Sequence, residues 1–172
     1  MEKETNNYIF NISTDPVKFT NALMEIAPNT VYGFMHPRYK PINEKVYAKI
    51  ARKLKNAYTQ LIYTDIRIKS GDNENTEYYP SFYPGIQEHF LIHSPLFVLP
   101  SKSIHIEHNP QIQLYFSHDL FIKLSNYYFP THIPEPLFIF ETNESDTNSV
   151  QNDINILNDS QSNSQSNSVL QA

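Results

Sequence analysis

Residues 45 to 58 read KVYAKIARKLKNAY and place Lys45, Lys49, Arg52, Lys53 and Lys55 on one short segment with no acid among them. Cations at this spacing line one side of a helix, where they bind phosphates by releasing condensed counterions. Like charges at i,i+4, such as Lys45 with Lys49, repel by roughly 0.2–0.5 kcal/mol, so an outside anion also relieves strain. Together with Arg38, Lys40, Arg67 and Lys69 they make nine of the chain's 13 cations. Only Glu44 and Asp65 oppose them between residues 38 and 69, in a chain whose formal net charge is -5. Interleaved acids are what a merely solvated helix face normally carries, and here they are nearly absent.

Two other groups could do chemistry. Five of the seven His, at 89, 93, 105, 108 and 118, lie close in sequence, and neutral imidazoles bind zinc or act as general bases. His105 and His108 have opposite parity on a strand, no Cys supplies a thiolate, and no helical zinc spacing occurs, so these read as structural or surface His. Tyr78, Tyr79, Phe82 and Tyr83 offer faces on which unpaired bases stack, or fill a core beside the stiffening Pro80 and Pro84. With three Gly there is no phosphate-cradling loop, and no Gly-x-Ser-x-Gly elbow marks a hydrolase. The expectation is a non-enzyme with no catalytic residue, metal or cofactor.

The elements that must position the cations follow from periodicity. Asp15-Pro16 reads as cap and first helical residue, with a helix running toward Pro28. A second helix is expected from Asn43 to Leu61, because Val46, Tyr47, Ile50, Ala51, Leu54, Ala57, Tyr58 and Leu61 recur on one face. Ile62, Thr64, Ile66 and Ile68 then alternate as in a half-buried strand, and short apolar runs separated by Pro and Asn continue to Phe140. Tyr8 to Ile12 reads as a short strand, and Leu120 to Asn126 as a late helix. The fold class expected is α+β: a helical N-terminal part about 14–61, a β-rich half about 62–140, both in one compact domain 1–140, and a disordered acidic tail 141–172. That tail has no aromatic and no Lys or Arg, and cannot bury enough apolar area to offset its ordering entropy. Its Ile154-Asn155-Ile156-Leu157 island is either a docking motif for a protein partner or an incidental cluster, and its acids can lie against the cationic face.

Pro28-Asn29-Thr30-Val31-Tyr32, Val46-Tyr47-Ala48-Lys49-Ile50 and Tyr79-Pro80-Ser81-Phe82-Tyr83 follow in the order of three landmarks of fungal mating-type HMG-box regulators, and residues 28–84 resemble that family. The resemblance implies an L-shaped helical domain that bends DNA through the minor groove. On that likeness Asn29 and Tyr32 sit where DNA enters, and Val31 or Phe34 is the wedge.

These readings lead to one expectation: a non-catalytic regulator that binds nucleic acid, DNA ahead of RNA, through Arg38, Lys40, Lys45, Lys49, Arg52, Lys53 and Lys55. The other class open is a structural or protein-interaction module that docks an acidic partner. The N-terminus lacks a secretory pattern and no apolar run is long enough to span a bilayer, so an intracellular protein without membrane partners is expected, nuclear in a eukaryote.

Overall fold

A computed structural model describes residues 2–5, 8–56, 60–86, 90–106 and 116–142. Among them the elements run β1 (Glu2–Thr5), β2 (Tyr8–Ser13), α1 (Pro16–Ala22), β3 (Thr30–Phe34), β4 (Tyr39–Pro41), α2 (Val46–Leu54), β5 (Leu61–Ser70), β6 (Asn73–Glu77), β7 (Leu96–Val98), α3 (Phe116–Ser125) and β8 (Pro130–Thr142). One curled mixed sheet takes the strands in the order β1-β2-β3-β7-β5-β8-β4, with β6 added to β5. The expected helical N-terminal part is thereby corrected: that part is led by strands, and the three helices are short. Two of those strands carry no period-2 signal. β3 is buried at every position, as in strands covered on both faces, and β1 is Glu-Lys-Glu-Thr. The expected low-complexity tail lies outside the described residues from 143 onward, and β8 reaches Thr142, which pairs with Ser70.

Local chemistry sets the helix ends. Asp15 caps α1, its Oδ1 accepting from the backbone N–H groups of Val17 (2.9 Å) and Lys18 (3.2 Å), with Pro16 at the first turn. That helix stops at Ala22, short of Pro28; the carbonyl of Leu23 then accepts instead from the Ile104 N–H (3.0 Å). Asn43 Oδ1 accepts from the Lys45 N–H (2.9 Å), so α2 begins at Val46 and ends at Leu54, well inside the 43–61 predicted.

Ring contacts show which face each helix covers. Phe10 pairs with Val31 across β2 and β3, while Phe34, three residues on, points the opposite way. Phe10 meets Tyr47 of α2 at 5.3 Å and Phe34 meets Phe19 of α1 at 5.7 Å, so α2 and α1 lie on opposite faces. Phe97 pairs with Ile62 and contacts Phe10, which puts Tyr63 on the α1 side, where it meets Phe121 of α3 at 5.2 Å. Gly33 is required beneath Phe97: a Cβ there would stand 2.9 Å from Phe97 Cε1 and 3.3 Å from Ile12 Cγ1.

The β5–β8 pair is parallel, and its register shifts twice, from Thr64 opposite Ile133 to Asp65 opposite Pro136 and Ile66 opposite Phe138. Pro134 and Pro136 have no N–H to donate to the ladder, which is why β8 bulges there. The bulge turns Glu135 outward to α2.

Candidate polyanion surface on helix α2

Val46, Tyr47, Ile50, Ala51 and Leu54 of α2 are buried, so its orientation is fixed and its opposite side faces solvent. Lys45, Arg52, Lys53 and Lys55 are exposed there, and among the described residues none of the four meets a carboxylate. Lys49, between them, is half-buried and ion-paired with Glu135. Lys40 in β4 pairs with Glu141 of β8 at 2.5 Å. Arg38 is half-buried before β4; its backbone N–H donates to His36 Nδ1 (3.3 Å) and its carbonyl accepts from the Glu141 N–H (3.3 Å). Burial, and after it the Arg38 charge, holds His36 below its ordinary value. The seven cations expected in one strip thus divide. Four stand open on α2, and Lys40 and Lys49 face acids of β8. Arg67 pairs with Glu74 at 3.1 Å on the β5–β6 hairpin.

Arg52 and Lys53 occupy the last turn of α2, where the negative end of the helix dipole favours cations by roughly 0.3–1 kcal/mol each. That accounts for some positive charge at this position but not for Lys45 at the opposite end.

The residues singled out by the HMG-box likeness have structural duties. Asn29 is exposed in a left-handed turn (φ 55), with its carbonyl accepting from the Ile9 N–H (3.0 Å). Tyr32 is buried; its hydroxyl accepts from the Ala27 N–H (2.8 Å) and donates to the Glu25 carbonyl (3.4 Å). Val31 and Phe34 lie in the core on opposite sides of β3.

Of the aromatic group, Tyr79 is buried, Phe82 is half-buried, and Tyr78 and Tyr83 are exposed. Three further exposed rings went unflagged by the sequence, Phe90 and, in the turn between α3 and β8, Tyr127 and Phe129. Phe129 meets Phe82 edge-on at 5.5 Å, and Lys102 Nζ stands 5.8 Å from the Tyr127 ring centroid. Nothing short of the strand pairing signals their position, because each is separated from its neighbours by long stretches of chain.

A buried polar network lies on the α1 and α3 side. Asp65 Oδ1 accepts from the Tyr79 N–H (2.9 Å) and lies 2.8 Å from His132 Nε2, and the His132 ring stacks on Tyr63 at 4.9 Å. Tyr39 donates to the His93 carbonyl (2.8 Å), and the Tyr79 hydroxyl accepts from the His93 N–H (3.3 Å). Burial and then the neighbouring His118 push His93 down to about 4. Burial also lowers His118, against the opposing charge of Asp119, and raises Glu77, against its hydrogen bond with Tyr79. A cavity of about 380 Å³ lies instead between β2 and α1, lined by Asn11, Ser13, Asp15, Lys18 and Tyr32 among others. The network therefore joins β4, β5, β8 and the segment before β7, with no lining residue of that cavity in it. Among the described residues no three His, Cys, Asp or Glu side chains are grouped to hold a metal; His89 and His108 lie outside them.

Compared with known proteins, the sequence matches no family model and no curated protein. Among the described residues no helix is long and apolar enough to cross a membrane.

Proposed function

We propose that the protein binds nucleic acid without catalysis, through Arg52 and Lys53 of α2 and its cap residues Lys45 and Lys55. The observation that carries this reading is that a helix with one face wholly buried, together with its two cap residues, presents four exposed cations, none of them opposed by a carboxylate among the described residues. A rigid cationic side binds phosphates with little ordering cost, and a polyanion removes the like-charge repulsion along it. Glu135 and Glu141 subtract Lys49 and Lys40 from the surface, so the footprint is narrower than the sequence suggests.

The test is fluorescence anisotropy with labelled DNA and RNA oligonucleotides at 50 and 200 mM salt. Four phosphate contacts predict an affinity drop of about 50- to 150-fold over that range. Replacing Arg52, Lys53 and Lys55 together by Glu should remove measurable binding. A triple variant that still binds, or a wild-type chain that binds no oligonucleotide at 50 mM salt, rejects the proposal. An acidic protein as the partner is the result if poly-glutamate binds and oligonucleotides do not.

A further inference from the structure

β8 is the strand that flanks α2. Before the helix, the Ile42 N–H donates to the Leu137 carbonyl (3.0 Å); within it, Lys49 pairs with Glu135, two residues earlier on β8. Contacts along the helix thus run opposite to those along the strand, which puts Lys45 nearest the end of β8 and Lys55 farthest from it. This strand already supplies acids to the basic segment, Glu135 to Lys49 and Glu141 to Lys40, and the described residues end just after the second of them, at Thr142.

Past Thr142 the sequence continues through residues 143–172 with Glu144, Asp146, Asp153 and Asp159 and no Lys or Arg. Four carboxylates therefore follow directly on the strand beside the four cations that no described carboxylate opposes. Chain length permits their meeting. Thr142 stands five residues beyond Leu137, at most about 18 Å, and nine residues of α2 are about 14 Å long. Asp153, eleven residues past Thr142, reaches up to about 36 Å, enough for the C-terminal turn of the helix, while Glu144 and Asp146 reach only toward its start. A tether keeps such acids at an effective concentration on the order of millimolar, so ion pairs that are individually weak act together. The nearest other open cation, Lys69 of β5, offers a single charge.

We propose that residues 143–159 lie back along α2, with Glu144 and Asp146 toward Lys45 and with Asp153 and Asp159 on Arg52, Lys53 and Lys55, and that they compete there with the polyanion. The proposal rests on the polyanion reading of α2 and names the regulation of that site. A polyanion must displace the acids before it binds, so the affinity of the chain is its intrinsic affinity reduced by the fraction of molecules whose cations are already covered.

Carbodiimide treatment of the full chain at 50 mM salt joins carboxylates to lysines in contact, and mass spectrometry of the monomer reads the pairs, with Lys40–Glu141 and Lys49–Glu135 as internal references. Asp153 or Asp159 should link to Lys53 or Lys55, and excess oligo(dT) or DNA duplex should suppress these links and spare the references. In anisotropy, Asp153→Asn/Asp159→Asn should bind the labelled oligonucleotide at least roughly threefold tighter than Glu25→Gln/Asp72→Asn, which likewise removes two negative charges, from exposed positions after α1 and in the β5–β6 turn. Tail links confined to Lys69 or to a covalent dimer, or equal affinity of the two double variants, overturn the proposal and leave the α2 reading standing. Failure of the wild-type chain and of the tail variant to bind either oligonucleotide overturns the competition together with the α2 reading, whatever links are found.

Discussion

His93 gives the sharpest quantitative test of the fold. Its imidazole is pushed from the ordinary 6.5 down to about 4, first by burial and then by His118. Among the described groups, the hydroxyls of Tyr39 and Tyr79 hold its backbone, Glu77 lies beside Tyr79, and on α3 stands His118, itself beside Asp119. Because the unfolded chain takes up the proton first, stability from a neutral His93 is complete above pH 6.5, falls between 6.5 and 4, and stays lost below. A displacement of about 2.5 pKa units corresponds to about 3 kcal/mol. Glu77 has the opposite sign, since its raised value makes the protonated carboxyl favour folding at low pH and weakens that contribution as pH rises. His118 acts in the same direction as His93. The His93 effect is therefore read as a difference between wild type and His93→Gln, by urea unfolding at pH 7.0, 5.5 and 4.0. Wild type should lose about 3 kcal/mol more than the variant from pH 7.0 to 4.0, with unchanged denaturant slopes. Parallel pH profiles for the two proteins, or a His93 ring that titrates near 6.5 by NMR, would refute the argument from burial.

Two further perturbations test the sheet. Gly33→Ala drives a methyl into Phe97, whose ring is enclosed by Phe10, Tyr47 and Phe138, so a loss of about 1–3 kcal/mol is expected in chemical denaturation; a neutral result would mean that Phe97 can shift. Asp65→Ala leaves the Tyr79 N–H and His132 Nε2 without their acceptor in a buried site, with an expected cost of about 2–5 kcal/mol and a lowered melting temperature; a change under about 0.5 kcal/mol would remove the network from the account of stability.

Where the sequence was legible, it was legible locally. The Asp15-Pro16 cap and the buried face of α2 depend on neighbours within one or two helical turns, and the observed α1 and α2 start from those signals. The length of α2 was not legible: periodicity continues through Ala57, Tyr58 and Leu61, but Leu61 belongs to β5, and its pairing with Pro130 and Val98 prevails over helical spacing. β3 was missed because both its faces are covered and its residues alternate in nothing. The acids that divide the cationic strip were invisible for a different reason. Glu135 reaches Lys49 only because two prolines bulge β8, and Glu141 reaches Lys40 only because β8 pairs with β4.

The same logic changes what the positive charge on α2 means. As a linear segment it suggests a long basic rod suited to a groove of duplex DNA. Folded, α2 is nine residues long, and an ion pair to β8 neutralises Lys49 at its middle while another neutralises Lys40 on β4. What remains open is Lys45 at its start and Arg52, Lys53 and Lys55 around its C-terminal turn. Exposed salt bridges such as Lys40–Glu141 contribute only roughly 0–1 kcal/mol, so they serve stability poorly, but each removes a full positive charge from the field that a phosphate meets. The architecture thus narrows a diffuse basic segment to a short open cluster, and on the polyanion reading of α2 the salt dependence of binding should count about four phosphates rather than seven.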